Sequence, residues 1–460
     1  MLNAFDSDRR ATAYPADSDE PHGRYAGVLA RDDQQMPVAV TFDAKPNGLV
    51  AWLDAAALGV VGVPFDAVAY EPPRLVLTMA AGCGGEIVWT GDFADDAIRG
   101  TWRGGGIAAR FELARCPAEP AWFTTQDVAF QNAGNRLAGS LIRPLGIGPH
   151  PAAVHLPGVG PAARHRSRFL AQVLARHGVA SLVYDRRGTG MSDGDGVTAD
   201  FGDLAADAVA GHRLLRETDG IDPARIGIVA AGEGGWVAPL AAGMTDVAYL
   251  VLCSAPAISP AEQERREVEM RLTGAVGEAE RARALALVRA KQAAVRGEYD
   301  WTKLRRRLHA AAGAPWYWDA GLPDPAAFDP LAPAVARYRR DLDVDPVAAL
   351  AALDIPILAL YGEADRRLPA LRCAGLLTGL RRHGRDVTVH VFPDAGHGLV
   401  QAPSHPGAFR WPRLATGCLE AVAAWLDMRV LSPTRRSPPG RAGRSDHAGR
   451  PVTADDRAVL

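Results

Sequence analysis

The sequence predicts an α/β fold: a mostly parallel, doubly wound sheet with a helical insertion, preceded by a small antiparallel β domain. Three observations predict it. From Pro151 onward, short apolar runs alternate with helical patterns, and apolar strands separated by helices form a parallel sheet covered on both faces. Between residues 23 and 116 the runs are short, β-type and broken by glycine and proline, the spacing of antiparallel strands. From about residue 259 to 345 the strand pattern stops and charged helical sequence replaces it.

The bounds agree with a globular protein of more than one core. The chain has 460 residues, 48% hydrophobic and 23% charged, with a formal net charge of -2. That length exceeds one typical domain, and the charge gives no reason to expect nucleic acid or an anionic membrane as a partner. The first residues lack the apolar run of a secretory signal, and no stretch approaches the roughly 18 apolar residues of a membrane span. Five cysteines (Cys83, Cys116, Cys253, Cys373 and Cys418) are odd in number and scattered, without metal-ligand spacing. They are expected to be reduced thiols in a cytoplasmic protein that holds neither metal nor cofactor.

In chain order, residues 1–22 are polar and expected to be disordered. The β domain, 23–116, carries runs at 36–42, 75–79, 86–93 and 108–113, and residues 117–120 read as a linker. The larger domain, 121–428, opens with a β run at 128–142. Strands at 152–156, 180–184 and 226–230 then alternate with helices at 167–178 and 203–217. Strands at 249–253, 357–361 and 387–392 follow, with helices at 370–383 and 411–427. The insertion, about 259–345, is charged and helical at first and then carries Trp316, Tyr317 and Trp318 among prolines. An insertion after a strand's carboxyl end lies over the crevice where such folds bind ligands, so it reads as a lid over a small, apolar ligand. Residues 429–460 read as a disordered basic tail, with six arginines and three aspartates after residue 430.

Chemistry points to residues 225–241, Arg-Ile-Gly-Ile-Val-Ala-Ala-Gly-Glu-Gly-Gly-Trp-Val-Ala-Pro-Leu-Ala. This is a strand, a small-residue turn and a helix, the layout of a Gly-x-Ser-x-Gly nucleophile elbow. Gly232 stands where the serine belongs. Glycine adopts the turn's backbone angles without strain, but it has no side chain with which to attack a carbonyl. Glycines also suit an ordinary βα turn, so the surroundings must decide. The strand at 152–156 ends in Pro157-Gly158-Val159-Gly160-Pro161, a turn of the kind that supplies one oxyanion N–H, here from Val159. The residue after the nucleophile position, Glu233, would supply the other. Asp365 follows one predicted strand and His397 follows the next, so nucleophile position, acid and histidine come in the chain order of an elbow triad.

These segments resemble a bacterial α/β-hydrolase family related to serine esterases and prolyl-oligopeptidase-like hydrolases, whose members pair a β-rich N-terminal domain with the catalytic one. The likeness is carried by the Asp185-Arg186-Arg187-Gly188-Thr189-Gly190-Met191-Ser192 segment, by 201–207, by the elbow running into Gly234-Gly235-Trp236, and by the acid and histidine segments. Gly62-Val63-Pro64-Phe65 and Gly100-Thr101-Trp102 extend it into the N-terminal part. The resemblance implies an α/β-hydrolase fold, with 185–192 a structural loop beside the site. It also implies Gly-His-Ser-Glu-Gly-Gly or Gly-His-Ser-Gln-Gly-Gly at the elbow, where this chain has Ala230, Ala231 and Gly232. A His-Gly opening of the oxyanion turn is likewise replaced by Pro157-Gly158.

Three functions stay open. The first is a pseudohydrolase with little ester or peptide hydrolysis. The second is an enzyme of altered chemistry, of lyase, cyclase or isomerase type, with the His397–Asp365 pair as general base. The third is a hydrolase with a relocated nucleophile, for which Ser192, Cys253 and Ser254 lie near strand ends. Glu233 matches an ordinary residue after the serine and is expected to point into neighbouring structure.

Overall fold

The computed structural model describes residues 20–80, 85–117, 122–156, 158, 160, 163–401 and 409–432. The expectations for residues 1–19, the linker at 118–120, Val159 and the tail beyond 432 lie outside them.

The N-terminal part is one antiparallel sheet of nine strands: β1 (Gly23–Arg31), β2 (Gln34–Lys45), β3 (Gly48–Ala55), β4 (Val60–Pro64), β5 (Ala67–Glu71), β6 (Arg74–Ala80), β7 (Glu86–Ala94), β8 (Ala97–Gly104) and β9 (Ile107–Cys116). Their order is β4-β3-β2-β1-β9-β8-β7-β6-β5. Period-two burial drives them: Leu75, Leu77 and Met79 of β6 and Ala109, Phe111 and Leu113 of β9 face one core. There they pack with Tyr25 and with Trp89, whose ring stands 5.1 Å from that of Phe111. Four runs were expected and nine strands form. The missed strands β1 and β8 carry Gly27 and Gly100, where a Cβ would overlap the backbone carbonyls of Glu112 and Thr90. Glycine is needed for that close approach, and it weakens the sequence signal of a strand.

The second sheet has eight strands in the order β10-β11-β13-β12-β14-β15-β16-β17. It opens with a hairpin of β10 (Phe123–Asn132) and β11 (Asn135–Pro144). The single run expected at 128–142 is therefore two strands, split at Ala133 and Gly134, both at positive φ as a tight two-residue turn requires. Then follow β12 (His150–Leu156), α1 (His165–Arg176), β13 (Ala180–Tyr184), α2 (Phe201–Arg216), β14 (Ile221–Ala231), α3 (Gly234–Met244) and β15 (Leu250–Cys253). The insertion contributes α4 (Pro260–Leu272), α5 (Glu278–Arg296), α6 (Trp301–Ala311) and α7 (Pro333–Asp341) before α8 (Pro346–Ala351) returns to the sheet. The chain continues through β16 (Ile357–Gly362), α9 (Ala370–Arg382), β17 (Val387–Phe392), the short pair β18 (Val400–Gln401) and β19 (Arg413–Leu414), and α10 (Cys418–Leu426). The helix expected at 411–427 starts only at Cys418, because the chain pairs as β19 and then turns at Gly417 with φ +81.

From β13 to β17 all neighbours are parallel. Helices α2, α3 and α9 cover one face with Leu204, Ala208, Val237 and Leu377, while α1 and α10 cover the other with Leu174, Val422 and Trp425. Both faces are buried, which is why these strands read as continuous apolar runs. The insertion has its own core of Leu272, Leu287, Leu308, Trp316 and Tyr317. The N-terminal sheet meets this body at α1 and near β19: Trp102 packs edge-on against Trp411 at 5.6 Å, and Gly62 lies against Arg168.

Candidate active site

The strand-to-helix turn after β14 is built from small residues for two different reasons. At Gly234 a Cβ would stand 2.9 Å from that of Ala230, and at Gly235 one would stand 2.6 Å from that of Ala255. Packing requires those two glycines. Gly232, at φ +53, is different: among the described residues, its chain neighbours aside, a Cβ there would find one heavy atom within 4 Å, His397 Nε2 at 3.5 Å. The turn is held by Gly232 N–H donating to Cys253 O at 3.1 Å and Gly235 N–H donating to Gly232 O at 2.9 Å. Helix α3 starts at once, with no side chain capping it, so the positive end of its dipole lies at this turn.

His397 reaches this point from the far edge of the sheet. Its turn, after β17, closes against β16: Ala364 N–H donates to Ala395 O at 2.9 Å, and at Gly362 a Cβ would overlap that same carbonyl. Asp365, just past β16, is buried and locked. Its Oδ1 accepts from Arg367 N–H at 2.8 Å and Leu368 N–H at 3.0 Å, and its Oδ2 lies 2.8 Å from His397 Nδ1. An Nδ1–H donated to the carboxylate leaves the Nε2 lone pair facing Gly232. Gly232, Asp365 and His397, separated by more than 160 residues along the chain, thus meet at the carboxyl edge of β14, β16 and β17.

With this arrangement goes a sequence match: the profile of the serine aminopeptidase family, S33, covers residues 149–403, more than half of the chain. The chain belongs to this family. Among curated proteins none matches. Solved structures with a similar fold include the esterase Pf2001 of Pyrococcus furiosus, at 16% identity over 67% of this chain and 92% of that one, with a TM-score of 0.42. Another is a 2,6-dihydroxy-pseudo-oxynicotine hydrolase, at 14% identity over 67% and 68% of the two chains, TM-score 0.40. DcsB, in complex with its substrate analogue, is 20% identical over 67% of this chain and all of its own, TM-score 0.44.

In this S33-family chain the 185–196 loop is the scaffold beside the turn. Asp185 accepts from Arg164 N–H at 2.8 Å and Met191 N–H at 3.1 Å. Arg187 forms a two-point pair with Asp207 of α2 at 2.6 and 2.7 Å, both side chains buried. Arg186 turns the other way, to an ion pair with Glu233 and a 3.0 Å bond to Gly158 O. Glu233 also faces Arg337 of α7 at 3.6 Å, so its side chain points into neighbouring structure. Sequence reasoning placed Glu233 but missed both arginines. Arg186 was visible in the loop motif, whereas nothing in the sequence marks Arg337, which sits among several arginines on one helix.

The other hydroxyls and thiols are committed or buried. Ser192 Oγ donates to Asp185 O at 2.7 Å and accepts from Ala138 N–H at 2.9 Å. Ser254 is 2% exposed at φ +45 and, among the described residues, its Oγ has no partner. Burial pushes the Cys253 thiol up to about 12. Trp316 and Tyr317, expected near a ligand, pack inside the insertion's core, and Tyr317 OH donates to Pro323 O at 2.6 Å; only Trp318 is exposed. Among the described residues no cluster of His, Cys, Asp and Glu could hold a metal ion, and no helix is long and apolar enough to cross a membrane.

Proposed function

We propose that this S33-family chain does not form an acyl-enzyme and is a pseudohydrolase toward esters and peptides, its nucleophile position occupied by Gly232. One observation carries the reading: the atom that faces His397 Nε2 where a serine side chain would stand is the bare Cα of Gly232. Nucleophilic catalysis needs a hydroxyl or thiol within reach of the base. Ser192 has spent its hydroxyl on the backbone, Cys253 is held as a thiol, and Ser254 lacks access. Without the nucleophile, an elbow site retains only the roughly 10³–10⁴-fold acceleration over water that comes from oxyanion donors and binding. A fluorophosphonate probe tests this on the full-length protein. No serine is expected to be labelled, and rapid labelling mapped to Ser254 or Ser192 would replace this reading with a relocated nucleophile.

A second reading is favoured by the dyad itself. Asp365 is buried and fixed by two backbone N–H groups, and it orients His397, which is what a general base needs. Above Gly232, Nε2 can take a proton from a water molecule or from carbon next to a carbonyl. The N–H groups of Glu233 and Val159 would then stabilise the oxyanion that develops. That serves elimination, cyclisation, isomerisation or water attack. The ligand is a small, apolar molecule held beneath the insertion. Trapping a ligand from the native protein and following it with His397→Ala separates the two readings: conversion by wild type but not by the variant supports the base, and binding without conversion by either supports the pseudohydrolase. The free, buried thiols of Cys373 and Cys418 fit a reducing compartment such as the cytoplasm.

A further inference from the structure

The formal net charge of -2 hides an uneven distribution. Within the insertion, α4 and α7 touch the body of the protein, through Glu262 to Arg372 and Arg340 to Asp200, and they commit their arginines. Arg266 pairs with Glu269 at 3.1 Å and Arg271 with Glu267 at 2.6 Å on α4, and Arg337 pairs with Asp341 at 3.3 Å on α7. Helix α6 does the opposite. Its 11 residues carry Lys303, Arg305, Arg306 and Arg307 and no acid, all four cations are exposed, and among the described residues none has an ion-pair partner. The nearest acid before the helix, Asp300, is spent on its cap, accepting from Lys303 N–H at 2.8 Å.

Helical geometry turns these cations into one face. Leu304 and Leu308 form the stripe that packs into the insertion's core, and at 3.6 residues per turn Arg306 stands opposite that stripe, with Lys303 and Arg307 on one flank and Arg305 on the other. The positive charge therefore fans over roughly 200° of the helix surface. Lys303 and Arg307, four apart, and Lys303 and Arg306, three apart, repel each other. The fold bears that cost, and a surface of opposite sign removes it. A single convex helix responds to charge density rather than to shape. Its one aromatic residue, Trp301, is half-buried and packs against Phe328 at 5.6 Å, so no exposed ring stands among the arginines to stack on a base. The segment that follows α6 exposes Trp318 and Leu331 instead, at 62% and 88%, side chains that a bilayer interface accepts.

We propose that the outward face of α6 docks the protein on an anionic lipid surface, with Lys303, Arg305, Arg306 and Arg307 as the contact residues. Each cation near such a surface adds its own attraction, and four on one helix add to a binding that a net charge of -2 conceals. The docking is electrostatic and reversible, because α6 keeps its apolar stripe in the insertion's core and no helix here crosses a membrane among the described residues. It is independent of the chemistry above Gly232.

Cosedimentation of the full-length protein with vesicles tests this. Vesicles of phosphatidylcholine and phosphatidylglycerol should pull the protein down, and phosphatidylcholine alone should not. Raising salt from about 0.1 M to 1 M, which cuts the screening length from roughly 10 to 3 Å, should release it. Arg306→Gln should weaken binding about fivefold, and Arg306→Lys should stay near wild type. Replacing all four cations by glutamine should weaken binding at least about a hundredfold, while the melting temperature holds or rises, since like charges are removed. Arg103→Gln with Arg110→Gln is the control: both are exposed on the N-terminal sheet, away from α6, and binding should not change. The proposal is overturned if wild type ignores anionic vesicles at low salt or binds neutral ones equally. It is overturned too if the fourfold variant binds like wild type, or if the control pair weakens binding as much as Arg306→Gln with Arg103 and Arg110 intact. Tighter retention by duplex DNA than by anionic vesicles at matched phosphate and salt would replace the lipid surface with a nucleic acid.

Discussion

Gly232→Ser is the perturbation whose outcome the structure constrains best. Among the described residues space does not oppose it: beyond its chain neighbours, the nearest heavy atom to the new Cβ is His397 Nε2 at 3.5 Å, an ordinary contact. The hydroxyl, one bond further out, comes within the roughly 2.6–3.2 Å over which a nucleophile and its base share a hydrogen bond. The cost is conformational. At φ +53 a side chain sits in the left-handed region, which costs about 1–2 kcal/mol per residue, or a few degrees of Tm for a chain of this size. Gly232→Ala carries the same strain without the hydroxyl and is the matched control. Removing an elbow-type serine can cost about 10⁶ in kcat. Putting one back over an intact dyad should therefore raise nitrophenyl acetate hydrolysis by at least about 10²-fold over both wild type and Gly232→Ala, with fluorophosphonate labelling at residue 232. A Gly232→Ser protein that melts within a few degrees of wild type, yet is neither labelled nor faster, would refute the claim that only the nucleophile is missing.

Other outcomes follow from single contacts. In the Gly232→Ser background, Asp365→Asn should remove most of the gained activity while leaving the melting temperature near that of its parent, because the amide no longer holds Nδ1–H toward the carboxylate; unchanged kcat would exclude the dyad. Burial pushes Cys253 up to about 12 and Cys373 and Cys418 up to about 11, so the thiolate is scarce at neutral pH. Iodoacetamide should modify these three slowly in the native chain and fast in denaturant, as read by peptide mass spectrometry. Arg187→Met should destabilise the chain by about 3–5 kcal/mol in urea unfolding, since it strands buried Asp207. His155, wholly buried beside Ser181, is lowered by desolvation to about 3. The unfolded chain therefore binds a proton there that the folded chain does not between about pH 6.5 and 3, and its contribution to stability, full above 6.5, falls as pH drops through that window. His155→Gln should flatten the stability-versus-pH curve there by up to about 1.4 kcal/mol per pH unit; an unchanged slope would mean that His155 is not kept neutral.

What the sequence determined by itself is local and periodic. Apolar runs alternating with helical patterns specify a parallel sheet covered on both faces, and strand-end segments carrying Gly232, Asp365 and His397 in that order specify where each lies, because the fold brings the carboxyl ends of its parallel strands to one edge. Where periodicity was weak, the sequence said less. The N-terminal sheet has more strands than its patterning shows, since glycines such as Gly27 and Gly100 serve close backbone approach and leave no side-chain alternation to read. Tertiary structure alone decided that the space above Gly232 is open toward His397 while Gly234 and Gly235 are glycines for want of room. It alone turned Ser192 onto the backbone and folded Trp316 and Tyr317 into the insertion's own core. It alone set Arg337, 104 residues from Glu233 along the chain, against that carboxylate. Side-chain type and spacing follow from the chain in order, but which distant side chains face one another follows only from how helices and sheet pack, and that packing is what the site's chemistry depends on.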